Sequence, residues 1–156
     1  MSEKRELEAL QEALAAEHAA VYGYGVVGGR IREGRRSEAM AAYDSHRARR
    51  DALVRAVRGL GGTPVAAAAG YALPFPVPDS VAAVRLAAVL EDRVAGVYAD
   101  VVRATEGERR GTAAEALREA AVRAVRWRGG SVAFPGLAER AGSASPHGVT
   151  PHSPTA

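Results

Sequence analysis

The sequence predicts an all-α chain folded as an antiparallel four-helix bundle with a long crossover between helices 2 and 3. Three observations carry this expectation. Apolar residues recur at three- and four-residue spacing over four long segments. Alternation with β-branched residues never persists beyond a few positions, so there is nothing from which to build a sheet. The connections are also of two kinds: two short polar turns that force antiparallel neighbours, and one link, residues 59 to 79, long enough to cross the bundle. A chain of 156 residues is the size of one domain. Its apolar share of 47% is made largely of Ala and Val, with 5% aromatics, which favours a thin core of closely spaced helices.

The first helix is expected over residues 3 to 30, where Leu7, Leu10, Leu14, Val21 and Gly28 share a stripe that ends at the polar turn "REGRRS". Gly23 and Gly25 here, and Gly96 in the third helix, each weaken a helix interior by about 1 kcal/mol relative to Ala, and close helix contact is the usual reason to accept that. The second helix, 37 to 58, continues the pattern through Ala39, Tyr43, Leu53 and Val57 and stops at "GLGGTP". In the crossover, "YALPFPVPD" is stiffened by Pro74, Pro76 and Pro78. The third helix starts at an Asp79 or Ser80 cap and runs to about Thr105 through Val84, Ala88, Ala95, Tyr98 and Val102. After the turn "EGERRG" comes the fourth, 112 to 128, with Ala113, Leu117, Ala120, Ala121, Ala124 and Trp127 on its apolar side.

Residues 1–137 are expected to form the bundle domain. Phe134 and Leu137 would fold back over one end and cover Trp127. Residues 138–156, ending in "ASPHGVTPHSPTA", read as a disordered tail in which His147 and His152 lack the apolar support a metal site needs.

The formal charge of +3 is carried almost entirely by arginine, with Lys4 the only lysine, which is a weak pointer to nucleic acid. In "HRARRD", residues 46 to 51, the arginines are spread around the helix and Asp51 offsets one of them. No cysteine is present, so disulfides and thiolate metal sites are excluded. The opening "MSEKRELEAL" is charged where a secretory signal would be apolar, and no stretch has the roughly 18 uninterrupted apolar residues of a membrane span. The expectation is a cytoplasmic protein with no membrane partner.

Projection of the helices at about 100° per residue places ionisable groups on the inward stripes. Glu17 and His18 flank the Leu14 and Val21 line. His46 lies between Tyr43 and Leu53, Arg50 falls close to the centre of the second stripe, and Glu91 is central in the third, near Tyr98. Glu17, His46 and Glu91 each lie near the midpoint of their helix, so they can meet at one level. Burying two carboxylates costs several kcal/mol apiece unless they are compensated. Two arrangements would do this. One is a polar network of Glu17, His18, Tyr43, His46, Arg50, Glu91 and Tyr98, with Tyr22 as a further donor. The other is a single Fe, Mn or Zn ion held by Glu17, His18, His46 and Glu91.

The stretches "LAAEHAAVYGYGVVGG", "AYDSHRARRDAL", "YALPFPVPD", "LEDRVAGVYADVV" and "RAVRWRG" make the chain resemble the ferritin-like superfamily over about residues 5 to 137. Within it they resemble a bacterial family of single-domain proteins to which no activity is assigned. The di-iron pattern of the superfamily is one Glu from each of two helices plus Glu-x-x-His from each of the other two. By this resemblance Glu17 matches the first-helix Glu, His46 the first motif His and Glu91 the third-helix Glu. Tyr43 stands where the motif Glu is expected, and Val122 follows Glu119 where the second motif His is expected.

The function expected is therefore a structural or interaction module with a degenerate Glu/His/Arg centre, with either no cofactor or one weakly held metal ion. A metal-dependent oxidase-type enzyme with a mononuclear Fe or Mn centre is the alternative, and an RNA-associated accessory protein a second one. Self-association as a homodimer is compatible with a thin Ala-rich bundle that leaves one helix face uncovered.

Overall fold

A computed structural model describes residues 2–129. It contains helices α1 (Glu3–Arg30), α2 (Arg36–Gly59), α3 (Ser80–Ala104) and α4 (Gly107–Arg128), with one 3-10 turn, Glu33–Arg35, leading into α2. No strand occurs among the described residues, and no helix is long and apolar enough to cross a membrane. The tail at 138–156, its two histidines and the cover expected from Phe134 and Leu137 lie outside the described residues.

Local chemistry sets the helix ends. Ser2 caps α1, its hydroxyl accepting from the Arg5 amide at 3.4 Å, and Glu3 and Glu6 sit in the first turn where the helix dipole favours negative charge. Asp79 is the α3 cap, its carboxylate accepting from the Ala82 amide at 2.9 Å. Ser80 acts differently, since its hydroxyl accepts from the Arg32 amide at 3.0 Å and ties the end of α1 to the start of α3.

Helix α4 begins at Gly107 rather than near 112, so most of "EGERRG" is helix. Only Thr105 and Glu106 form the turn, because Gly107 takes the left-handed backbone conformation, φ 57°, that reverses the chain quickly. Arg110 then caps the end of α3, donating to the Thr105 carbonyl at 2.6 Å and the Val102 carbonyl at 3.1 Å.

Cross-helix pairs show that neighbouring helices are antiparallel. His46 meets Glu17 between α2 and α1; Tyr24 meets Glu91 and Tyr98 meets Glu17 between α1 and α3; Ser45 meets Arg123 and Arg49 meets Glu119 between α2 and α4. The crossover makes this possible by returning the chain along the outside of α1. Gln11 pins it at both Thr63 and Val65, His18 at the Val65 carbonyl, and Tyr22 at the Tyr71 ring, centroids 5.5 Å apart.

Backbones approach closely between α1 and α2, α1 and α3, and α3 and α4. Among the described residues those of α2 and α4 nowhere come within 8 Å, Cα to Cα, and only side chains span that seam. Two apolar clusters fill the bundle. Leu10, Leu14, Leu53, Val57 and Val101 belong to one, and Tyr24, Val27, Leu86, Leu90 and Trp127 to the other.

The α1–α3 contact is close enough to explain one of the helix glycines. A Cβ added at Gly23 would come within 2.5 Å of a Leu90 methyl, whereas one at Gly25 would meet nothing within 4 Å. Gly25→Ala is expected to stabilise the protein by about 0.5–1 kcal/mol through helix propensity. Gly23→Ala must displace Leu90 in a packed core and should lose that gain, ending about 1 kcal/mol or more below Gly25→Ala in urea unfolding.

Candidate functional site

Four side chains that the sequence places on inward stripes converge. Glu17, His46 and Glu91 are buried at 0%, 1% and 0% exposure, and Tyr98 joins them at 4%. His46 lies between the two carboxylates, with Nδ1 2.6 Å from Glu17 Oε2 and Nε2 3.0 Å from Glu91 Oε1. The other Glu17 oxygen accepts from the Tyr98 hydroxyl at 2.7 Å, and Glu91 Oε1 accepts a second bond from the Tyr24 hydroxyl at 2.6 Å. Trp127 extends the chain, its indole N–H donating to the Tyr24 oxygen at 2.9 Å. The network runs Tyr98, Glu17, His46, Glu91, Tyr24, Trp127 and draws on all four helices.

An imidazole facing an acceptor on each ring nitrogen must carry both protons to satisfy both, and the electrostatics agree. Burial alone would lower the His46 pKa. The hydrogen bonds and charges of Glu17 and Glu91 outweigh burial and raise it to about 9. The Tyr24 ring stacks on the imidazole, centroids 5.3 Å apart, and so offers a π face to that charge. Burial, reinforced by Glu91 and Glu17 respectively, pushes the Tyr24 and Tyr98 hydroxyls far above the ordinary phenol range, so both remain donors.

Three other expected members lie elsewhere, as does the further donor Tyr22, which packs against Tyr71 of the crossover. His18 is one residue, or about 100°, round α1 from Glu17, and that turn aims it at the crossover. Tyr43 is half-buried among the Trp127-side cluster, with the Arg47 guanidinium 5.6 Å above its ring. Arg50 does not reach the centre: its long stem carries the guanidinium to the surface, where it pairs with Asp51 at 2.9 Å and avoids the desolvation cost of burial. In "HRARRD" each arginine has an acid within 4.0 Å: Asp44 for Arg47, Glu119 for Arg49 and Asp51 for Arg50.

The arginine near the carboxylates comes from α4. Arg123 places Nη1 4.0 Å from Glu91 Oε1 while Nη2 donates to the Ser45 hydroxyl at 2.7 Å. Tyr24 is a second member that the sequence did not single out. The available signal was its spacing: Tyr24 follows Glu17 by the same interval at which Tyr98 follows Glu91, two helical turns on one face. Glu91 Oε2 is buried with no hydrogen-bond partner among the described residues.

The donor set does not fit a metal centre. A single ion needs its ligands about 2.0–2.2 Å away and aimed at one point. Here the imidazole stands between the carboxylates and turns a nitrogen to each, so no ring lone pair is directed at a point both acids share. Helix α4 adds Arg123 rather than a carboxylate or imidazole, since Glu119 faces Arg49 at 3.0 Å. Among the described residues no group of three or more His, Asp or Glu side chains is arranged to hold an ion.

Residues 9–139 match the family model described as Domain of unknown function (DUF4439). The chain belongs to this family. It is similar to a solved structure of a conserved hypothetical protein, rv2844, from Mycobacterium tuberculosis, at 38% identity and TM-score 0.80, over 82% of this chain and 98% of that one. The fold is ferritin-like. It is similar at TM-score 0.57 and 17% identity to a structure described as ferritin-like, diiron-carboxylate proteins from Bacillus anthracis str. Ames, over 83% of this chain and 93% of that one. No curated protein matches the chain.

The charged centre makes stability depend on pH. Because the folded His46 pKa of about 9 exceeds the ordinary 6.5, its contribution to stability is complete below pH 6.5 and is lost as pH rises through 9. Chemical denaturation across that window should show a fall on the order of 3 kcal/mol. His46→Ala should flatten this slope and cost about 3–5 kcal/mol at neutral pH by removing the cation held between two buried carboxylates. Arg50→Ala should change stability by less than about 0.5 kcal/mol, whereas Arg123→Ala, which strips a partner from Ser45 and a cation from Glu91, should cost about 1–3 kcal/mol in the same assay.

Proposed function

We propose that this protein is a cytoplasmic structural or interaction module in which a protonated histidine takes the place of a metal ion at the centre of a ferritin-like bundle. The observation that carries this reading is that both ring nitrogens of His46 face carboxylates, at 2.6 and 3.0 Å. Charge balance supports it. Two buried acids are opposed by the imidazolium and, at 4.0 Å, by the Arg123 guanidinium, so a divalent ion entering there would meet two positive charges already in place. Self-association as a homodimer belongs to the same reading, with the exposed side chains of Met40, Val81 and Val122 as apolar anchors.

Elemental analysis of protein purified without a histidine tag, after incubation with Fe(II), Mn(II) or Zn(II), tests the proposal. The expected result is well under one ion per chain and a melting temperature that a chelator does not move. Stoichiometric iron or manganese that disappears in His46→Ala would overturn it in favour of a mononuclear oxidase-type centre at Glu17, His46 and Glu91.

A further inference from the structure

The seam between α2 and α4 contains a second feature, which shares only the Tyr98 ring with the polar centre. A cavity of about 70 Å³ lies there, lined chiefly by Leu10, Leu53, Ala56, Tyr98, Val101 and Ala113, with an almost wholly apolar wall. Small residues facing each other across a helix pair normally allow the helices to close, and protein interiors contain few voids of this size. Here α2 presents Ala52 and Ala56 and α4 presents Ala113, yet the two backbones stay more than 8 Å apart. Side-chain struts span the gap: Arg49 to Glu119 at 3.0 Å, and Arg123 to Ser45 at 2.7 Å.

The chemistry of the lining selects the occupant. Water needs two to four polar partners, and this wall offers almost none. The two arginines that border the cavity are already engaged, Arg49 with Glu119 and Arg109 with Glu6, so no uncommitted cation awaits an anionic group. Tyr98 presents its ring, and its hydroxyl is turned away to Glu17.

We propose that this cavity is a binding site for the apolar end of a small uncharged molecule, inserted between α2 and α4. A cavity about twice this volume accepts benzene. The ligand class is therefore a short alkyl group of which about three carbons enter the cavity, with any polar end and the carbon that bears it left at the mouth.

Titration of the full chain with the linear alcohols from ethanol to hexanol, followed through the methyl NMR signals of Leu10, Leu53 and Val101, tests this. Affinity should rise about fourfold per added methylene while the cavity fills, and then level off near butanol. Leu86 and Val27, in the other half of the core, should not respond. Ala56→Leu grows into the cavity from a half-buried position and should weaken butanol binding at least tenfold. Tyr98→Phe keeps the ring and removes the bond to Glu17, so binding should survive it even if the reading of the polar centre fails. The inference is overturned if no alcohol gives a saturable response at these methyls, if affinity does not depend on chain length, or if Ala56→Leu binds as tightly as the wild type. Should Ala56→Leu fail to fold, the chain-length series on the wild type decides alone.

Discussion

The imidazolium of His46, held between Glu17 and Glu91 in the dry centre of the bundle, is the constraint to which the other features answer. Neither carboxylate could stay buried and ionised without a donor, and each receives one on its inner side from the same ring. The two tyrosines then occupy outer positions in a reciprocal way. Glu17 and Tyr24 are two turns apart on α1, Glu91 and Tyr98 two turns apart on α3, and because the helices run antiparallel each tyrosine reaches the other helix's acid. The result is an approximate two-fold arrangement with histidine at its middle.

A network of this kind is weak evidence for stability, since desolvating two acids and an imidazole offsets most of what their attraction returns. Its stronger effect is on register. Sliding α1 along α3 by one turn would break both Tyr–Glu pairs and take His46 away from one of its two carboxylates, a penalty that a core of Ala, Val and Leu could not impose. In an Ala-rich interior, where apolar side chains are too short to interlock strongly, polar pairs specify how the helices align. Gly23 belongs to the same economy of space, because its missing Cβ lets Leu90 lie against α1 next to the network.

Much of this was legible from the sequence, for identifiable reasons. Four helices and a crossover follow from periodicity and loop length. Glu17, His46 and Glu91 could be placed together because a helix converts residue number into both angle and height. Accuracy falls where side-chain length matters more than backbone direction. Arg50 and Arg123 are both arginines near an inward stripe, and only packing decides that one bends out to Asp51 while the other leans between Ser45 and Glu91. His18 departs for a different reason: its angle is compatible with the interior, but the crossover lies on that side and supplies the Val65 carbonyl first. The early start of α4 was hidden because a glycine surrounded by charges reads as a loop, although at Gly107 it is the reversal that allows the helix to begin at once.

The absence of close backbone approach between α2 and α4 gives the bundle an unusual connectivity. Main-chain packing links α2 to α1, α1 to α3 and α3 to α4, so the helices form an open row folded round on itself, and the fourth side is closed by side chains alone. Parting the molecule along that side would tear no interlocked backbone, and the polar ties to be broken there are those of Arg49 to Glu119 and Arg123 to Ser45. The hydrogen bond from His46 to Glu91 ties α2 across to α3, so the proton that makes this bond also helps to hold the outer helix to the row.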